Sequence, residues 1–229
     1  MSDRHEHPAR QVLVIAPHAD DEVIGCGGLI AGLSTGGAAV DVVVMTVGGV
    51  LHRNQEHALP SNGRMKELLA AAAVLGVRHV SVLFQGTEMH MDARPQIEIV
   101  TALDRVLDAI SYDEVFVPPN DQNADHRICH YAAMSALRLG ARPPPSLIAS
   151  YESAPELSWG SVQAFSPTLF VDISKQWATK TAAMECYASQ MRAAPHPRSL
   201  ETLEKMAFYR GAQCGAQFAE AFNVLRIVR

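Results

Sequence analysis

Residues 11–28 read QVLVIAPHADDEVIGCGG. The run begins with five apolar residues, Val12 to Ala16, a length that suits one strand buried in a sheet. A histidine and three acids follow between residues 18 and 22, and burial of such groups is costly unless they share a partner. Parallel sheets bind ligands beyond the carboxyl ends of their strands. The segment therefore predicts a strand over Gln11–Ala16 that ends in a ligand site, followed by a helix over Glu22–Ser34.

Apolar runs and helical patterns alternate along the remainder of the chain. The apolar runs predict further strands over Val40–Val47, His79–Phe84, Glu114–Pro118, Leu147–Tyr151 and Thr168–Asp172. Helical spacing and helix formers predict helices over Gly63–Leu75, Arg94–Ile110, Arg127–Leu139, Ser174–Met191 and Leu200–Ala221. This order favours an α/β, Rossmann-like fold in which helices flank a mostly parallel sheet. We expect a flexible N-terminal lead over residues 1–10 and a single domain over residues 11–229.

Composition and charge narrow the class of protein. Apolar residues make up 48% of the 229 residues, and no window approaches 18 uninterrupted apolar residues, so we expect a sizeable core and no membrane span. The net charge of −5 argues against a nucleic-acid surface. The first ten residues lack the apolar segment of a secretory signal, and the four cysteines show no CxxC spacing. These features predict a cytoplasmic protein with reduced thiols.

A second polar segment, NDQNADHR at residues 120–127, follows the strand predicted over Glu114–Pro118. In a parallel sheet this segment and the first one meet in one crevice. His18, Asp21 and His126 would then give two neutral imidazoles and a carboxylate, a three-ligand zinc set that leaves a position for water. Asp20 would be the carboxylate left over for acid–base work.

Several residues of the two segments admit a second interpretation. His130 forms an HxxxH pair with His126, and we favour His126 because it lies at the helix start, nearer the crevice. Asp125 is in a typical position for a helix N-cap, while Glu22 or Asp125 could instead fix the tautomer of a ligand imidazole. The glycines Gly25, Gly27 and Gly28 do not follow the GxGxxG spacing of a dinucleotide site.

Together these residues resemble a known family, the PIG-L/LmbE-like zinc-dependent de-N-acetylases, over most of the chain. The strongest match is Pro17 to Glu22 followed by Ile24 to Gly28. Further matches are Arg64-Met65-Lys66-Glu67, Ala71 to Val77, Asp125-His126-Arg127, Ser189-Gln190, Arg210-Gly211, Gly215 and Ala219 to Phe222. Individually they are weak, but in this order they are specific.

The resemblance implies that His18, Asp21 and His126 bind zinc and that Asp20 is the general base. It also implies that Arg64 helps to hold a sugar. Many members have a histidine that stabilises the oxyanion where this chain has Asn123. An amide can donate a hydrogen bond but, unlike histidine, cannot become positively charged. Asn123 is therefore a weaker candidate catalytic residue than a histidine would be. The glutamate that family members often have after the second strand is not in register in Gly48-Gly49-Val50-Leu51.

The expected function is therefore removal of an N-acetyl group from an N-acetylglucosamine-type sugar or sugar conjugate. Zinc suits the ligand set, and iron, cobalt and manganese accept similar ligands. The expected partner is a small N-acetylated molecule, and family members are often homo-oligomers. Two alternatives stay open at this point: a zinc amidase for a non-sugar acyl amide, and a non-catalytic sugar- or nucleotide-binding module.

Overall fold

One sheet of seven strands forms the centre of this computed structural model, which describes residues 9–48, 61–86, 88–140, 142–157 and 165–229. The strands are β1 (Gln11–Ala16), β2 (Ala39–Val47), β3 (His79–Gln85), β4 (Glu114–Val117), β5 (Leu147–Tyr151), β6 (Leu169–Asp172) and β7 (Ala219–Ile227). The helices are α1 (Asp21–Thr35), α2 (Ser61–Leu75), α3 (Gln96–Ala109), α4 (Ala124–Ala136), α5 (Trp177–Glu185) and α6 (Leu200–Cys214). Short 3-10 helices lie at Met91–Ala93 and Pro155–Leu157. Most of the predicted N-terminal lead and of the loop after β2 lies outside the described residues.

The strand order is β3-β2-β1-β4-β5-β7-β6. The first five of these strands are parallel neighbours, and β7 alone in this sheet runs antiparallel to both β5 and β6. The predicted mostly parallel α/β fold is confirmed. β1 pairs with β2 on one side and with β4 on the other, so the order in which strands are added to the sheet reverses between β1 and β4. Ligand sites of such sheets lie at this switch point.

The central strand β1 is buried on both faces, as its apolar sequence predicts. Alternate side chains point to opposite faces: Val12 and Val14 join the core under α1 and α2, whereas Leu13 and Ile15 join the core under α3 and α4. All four are fully buried. This rigid strand supports the turn that follows it. Among the described residues, no helix has the length and apolar character needed to cross a membrane.

The C-terminal region corrects two predicted helices. The helix predicted over Leu200–Ala221 is wrong in its last part, because α6 ends at Cys214 and Ala219–Ile227 form β7. Gly215 follows α6 with φ 81, a left-handed conformation that glycine adopts without steric cost and that ends a helix. The helix predicted over Ser174–Met191 is also too long, since α5 spans only Trp177–Glu185.

A buried ion pair between Lys180 of α5 and Glu220 of β7 also bonds to the backbone of α1. The carboxylate of Glu220 accepts hydrogen bonds from the backbone N–H groups of Gly28 and Leu29, both at 2.8 Å. Lys180 of α5 donates to Glu220 Oε1 at 2.6 Å and to the carbonyl of Ile24 at 2.7 Å. Both charged side chains are almost fully buried, and the pairing compensates for their loss of solvent. These contacts fix α1, which begins within the acidic turn, the segment of residues 18–22 that follows β1.

Candidate metal centre

The two predicted polar segments meet at the switch point of the sheet. β1 ends at Ala16 and α1 begins at Asp21, so His18 lies in the connecting turn. β4, the neighbour of β1, ends at Val117, and His126 lies in the first turn of α4. His18, Asp21 and His126 are all buried, and each offers one ligand atom within 4.8 Å of the others. The structure thus brings together the three residues that the sequence predicts as metal ligands.

Each imidazole has one nitrogen held by a carboxylate outside this group of three. In His18, Nε2 lies 2.9 Å from Asp125 Oδ2, while Nδ1 lies 3.4 Å from Asp21 Oδ2. In His126, Nδ1 lies 2.8 Å from Asp121 Oδ2, while Nε2 lies 3.2 Å from Asp21 Oδ2. Carboxylates that accept the N–H of an imidazole fix its tautomer and present the other nitrogen to a metal.

One nitrogen of this centre faces a carboxylate without a well-directed hydrogen bond. Nε2 of His126 is buried and lies 3.2 Å from Asp21 Oδ2, but among the described residues no group forms a well-directed hydrogen bond with it. Such an atom costs free energy unless something else binds it. Together with His18 Nδ1 and an Asp21 oxygen it makes a set of two nitrogens and one oxygen, which are the donor types that zinc accepts. The residues therefore fit a divalent transition metal.

The pKa values show how strongly this centre favours positive charge. Burial by itself lowers the pKa of His18, but hydrogen bonds to Asp125 and Asp21 outweigh burial and raise the pKa to about 10. Burial also lowers the pKa of His126, and Asp21 with Asp121 raises it to about 9. Conversely, burial raises the pKa of Asp21, but the two histidines hold it well below its ordinary value. A bound cation would meet the same demand for positive charge.

Asp20, the predicted general base, lies beside the ligand group and is 1% exposed. Its φ of 130 lies in a region that non-glycine residues rarely adopt, at a cost of about 1–3 kcal/mol. Its N–H donates to Glu22 Oε2 at 3.1 Å, and its carboxylate accepts a hydrogen bond from Arg198 Nη1 at 3.2 Å. Burial raises the pKa of Asp20 to about 6, against the lowering effect of Arg198. Strained, well-held conformations of this kind are found at functional sites.

The two carboxylates considered for orienting an imidazole have different partners. Asp125 contacts His18 and also accepts from the N–H groups of Met89 at 2.7 Å and Met91 at 3.1 Å. Glu22 instead accepts from the hydroxyl of Tyr187 and from the N–H of Asp20. Glu22 therefore supports the backbone of the acidic turn rather than a histidine ring.

Asn123 is the N-cap of α4. Its side-chain oxygen accepts from the N–H of Asp125 at 2.9 Å, and its own N–H donates to Asp121 Oδ1 at 2.8 Å. The sequence predicts a helix that begins at Arg127, whereas α4 begins at Ala124. The cap by Asn123 explains this earlier start. It also starts the helix so that Asp125 and His126 point into the crevice. A role for Asn123 as an oxyanion donor stays a prediction.

Arg64 of α2 supports the same turn. It is buried, and its Nη2 donates to the carbonyl of Ala19 at 2.7 Å, directly before the strained Asp20. Nη2 also lies 3.5 Å from Glu88 Oε1, and Glu88 Oε2 accepts from the N–H of Gly48 at 3.2 Å. The predicted sugar contact of Arg64 stays a prediction, whereas its contact with Ala19 shows that it also holds the turn.

Sequence reasoning missed three residues that act on this centre. Asp121 belongs to the segment that was singled out, and its place just after β4 is the signal that could have found it. Arg198 and Tyr187 come from the region between α5 and α6, far along the chain from Asp20. No sequence pattern connects these two residues with the acidic turn.

Comparison with known proteins gives the same family. The model of the PIG-L family, GlcNAc-PI de-N-acetylase, matches residues 13–137, more than half of the 229-residue chain. A diacetylchitobiose deacetylase of Thermococcus kodakarensis is 29% identical over 225 residues, which cover 93% of this chain and 82% of that protein. The N,N'-diacetylchitobiose deacetylase from Pyrococcus horikoshii has a TM-score of 0.76 at 27% identity, covering 95% of this chain and 84% of that chain.

A solved structure with another activity has the same fold. GalB, the 4-carboxy-2-hydroxymuconate hydratase from Pseudomonas putida KT2440, has a TM-score of 0.78 at 22% identity, covering 96% of this chain and 98% of that chain. At this identity the likeness extends to the fold alone, so the reaction has to be argued from the site. The match of the family model over the first four strands and four helices, together with the acidic turn and His126, shows that the chain belongs to the PIG-L family.

Proposed function

We propose that this protein is a zinc-dependent hydrolase that removes the acetyl group from an N-acetylglucosamine-type sugar or sugar conjugate. One observation carries the proposal. His18, Asp21 and His126 place their ligand atoms within 4.8 Å of one another, and the buried carboxylate of Asp20 lies next to them in the chain. Two imidazoles, one carboxylate and an adjacent base are the components of a hydrolytic zinc centre.

His18 through Nδ1, Asp21 through a carboxylate oxygen and His126 through Nε2 would hold the metal. Bound zinc lowers the pKa of a coordinated water and polarises an amide carbonyl. When a metal takes the place of the second ring proton, Asp121 and Asp125 would accept the remaining N–H of each imidazole and so fix the nitrogen that binds the metal. Their contacts therefore support the ligand set before any substrate binds.

Asp20 moves the proton in this reaction. As the oxygen of water bonds to the acetyl carbon, the carboxylate of Asp20 accepts a proton of that water. The carbon–nitrogen bond then breaks, and the protonated Asp20 donates its proton to the departing amine. The products are acetic acid and the free amine, and transfer of the acid proton to that amine gives acetate and a protonated amino sugar, so atoms and charge balance without another reactant. Arg64 and Glu22 hold the turn in which Asp20 lies.

The substrate class is supported by the relatives. The two proteins most alike in sequence that were compared above are named for the deacetylation of diacetylchitobiose, an N-acetylated sugar. We therefore expect N-acetylglucosamine units to enter the crevice between the ends of β1 and β4. Cytoplasmic localisation and a homo-oligomeric state remain part of the proposal.

The test combines metal analysis with a screen of acetate release. The purified protein is analysed for bound metals, stripped with a chelator and reloaded with zinc, iron, cobalt or manganese. Each form is assayed on N-acetylglucosamine, N,N'-diacetylchitobiose and acyl amino-acid amides. We expect bound zinc, loss of activity on stripping, and acetate release from the sugars. Activity on the amino-acid amides alone would indicate a non-sugar amidase, and failure to bind any metal would indicate a non-catalytic binding module.

A further inference from the structure

Arg198 reaches the acidic turn from a distant part of the chain. It immediately precedes Ser199, the N-cap of α6, whose hydroxyl accepts from the N–H of Thr202 at 3.1 Å. Its guanidinium is the bridge between two carboxylates. Nη1 lies 3.2 Å from Asp20 Oδ2, and Nε donates to Glu156 Oε1 at 2.9 Å. The side chain therefore connects the turn after β1 with the segment after β5.

The backbone and the carboxylate of Asp20 are held by different groups. Arg64 and Glu22 bond to the peptide unit that precedes the strained residue, at the carbonyl of Ala19 and at the N–H of Asp20. Neither of them bonds to the carboxylate. Within the described part of the chain, Arg198 is the residue whose side chain hydrogen-bonds the carboxylate of Asp20. The direction of that carboxylate thus depends on Arg198.

The geometry of Arg198 suits this task better than a general positive charge would. A guanidinium is a planar group with several N–H donors in fixed directions, so it can bond to two carboxylates and keep the angle between them. Glu156 anchors Nε, which leaves Nη1 in a defined place next to Asp20. A lysine at this position would offer one compact charge and no second fixed donor. The side chain of Arg198 is 20% exposed, so most of it is shielded from solvent.

We propose that Arg198 is a positioning residue of the reaction: it fixes the direction of the Asp20 carboxylate for proton transfer, and Glu156 fixes Arg198. The inference rests on the proposed function, in which Asp20 is the general base. Proton transfer requires the base to lie within hydrogen-bond reach of the reacting water, and a displacement of about 1 Å can cost about 100-fold in rate. Arg198 acts on the rate through Asp20.

Kinetics of matched variants test the role. We expect R198A to lower kcat about 10–100-fold, as loss of alignment of a general base does, with KM changed less than about 3-fold and with metal content unchanged. R198K should retain an intermediate kcat, and E156Q should lower kcat less than R198A does. R192A is the control, because Arg192 lies in the same segment and donates to the carbonyls of Ser189 and Met191 instead.

Chemical rescue separates positioning from general structural damage. Guanidinium ion at a sub-denaturing concentration should restore part of the kcat of R198A, because it can occupy the place of the missing group. It should not restore D20N, which lacks the base. A kcat of R198A equal to that of the unmodified protein, or a loss confined to KM, would overturn the proposal while leaving the deacetylase function intact.

Crystal structures give a readout that needs no substrate. We expect the Asp20 carboxylate in R198A to rotate or to take alternate conformations, and to keep one direction in the unmodified protein and in R192A. An unchanged Asp20 carboxylate in R198A would overturn the proposal even if no substrate were found. If the unmodified protein released no acetate from any amide but the carboxylate moved in R198A, the proposed function would fail and the link between Arg198 and Asp20 would stand.

Discussion

The imidazole rings of His18 and His126 lie 5.4 Å apart between their centroids and are tilted by 42°. Both rings turn one nitrogen toward the carboxylate of Asp21, and each is held from behind by its own aspartate. The arrangement joins a turn after β1 to the first turn of α4, so the ligand set forms only when the sheet is folded. It leads to predictions about metal binding that do not depend on a substrate.

Removal of a ligand should abolish metal binding. We expect H126A to lose its bound metal on dialysis, because the remaining imidazole and carboxylate cannot complete the three-ligand set. H130A is the matched control: His130 lies on the same helix, but its Nδ1 is 2.8 Å from the carbonyl of Pro118. The measurement is metal content per chain by elemental analysis. Equal metal content in H126A and in the unmodified protein would contradict the ligand assignment.

Loss of Asp121, the carboxylate that holds His126, should weaken metal binding measurably, but less than loss of His126 itself. D121N removes the negative charge and leaves one acceptor oxygen, which cannot serve both Nδ1 of His126 and the N–H of Asn123, and such losses weaken metal affinity about 10–100-fold. Competition with a chromogenic chelator gives the affinity. We expect D121N to bind metal more weakly than H130A and more tightly than H126A. An affinity equal to that of the unmodified protein would show that Asp121 does not orient His126.

Replacement of the predicted base should separate catalysis from metal binding. D20N keeps the size of Asp20 but cannot accept the proton of water, so we expect kcat to fall about 100–10,000-fold while metal content stays the same. D92N is the control, because Asp92 is exposed and lies outside the ligand group. Acetate release measures the rate. Hydrolysis by metal-loaded D20N at close to the unmodified rate would assign the base to another residue.

Two glycines of α1 should respond in opposite ways to alanine. A Cβ at Gly28 would lie 2.5 Å from Cγ2 of Ile173, which is fully buried, so G28A should destabilise the protein by about 1–3 kcal/mol. A Cβ at Gly32 would meet its nearest atom, in Gln176, at 3.6 Å. Because alanine is a better helix former, G32A should be neutral or stabilising by up to about 1 kcal/mol. Thermal and urea unfolding measure the stability of both variants. Equal effects of G28A and G32A would contradict the close packing of α1 on Ile173.

Asp41 should contribute a pH-dependent part of the stability. Burial alone raises its pKa, but hydrogen bonds from Arg78 and Tyr112 outweigh burial and hold the pKa below its ordinary value. A carboxylate with a lowered folded-state pKa stabilises the protein fully above its unfolded pKa of about 3.9, and this contribution is lost as the pH falls through the folded pKa. We therefore expect D41N to lower the free energy of unfolding by about 1–3 kcal/mol at neutral pH.

The difference between D41N and the unmodified protein should shrink as the pH falls below about 4. Urea unfolding at a series of pH values measures it, and the carboxylates of the metal centre, which titrate in both proteins, cancel in the comparison. D92N controls for the loss of one negative charge at an exposed position. A difference that stays constant from neutral to acid pH would show that the charge of Asp41 is not what stabilises the fold.

The sequence predicts that the acidic turn and His126 meet because both are local features at the ends of apolar strands. His18, Asp20 and Asp21 follow β1 directly, and His126 lies at a helix start next to a neighbouring strand. Position relative to a strand end is enough to place such residues in one crevice of a parallel sheet.

Residues that reach the site from afar could not be predicted in this way. Arg198 contacts Asp20 because α5 packs against α1 and the segment between α5 and α6 returns to the acidic turn, and nothing in the neighbouring sequence of Arg198 indicates that contact. The helix predicted over Leu200–Ala221 includes the first three residues of β7, Ala219-Glu220-Ala221, which are helix formers. Pairing with β5 and β6 overrides that local preference, and Gly215 provides the break.

The position of β7 has a consequence for synthesis. β7 leaves the ribosome after both strands between which it lies, so the nascent chain presents β5 with one bare edge while β6 has no neighbour in the described sheet. Bare edges recruit other chains, which makes this interval the period of greatest risk of aggregation. Glu220 belongs to the same strand. Lys180 and the backbone N–H groups of α1 can therefore bond to its carboxylate only after β7 has been made. The bare edge of β5 should therefore close only when β7 inserts.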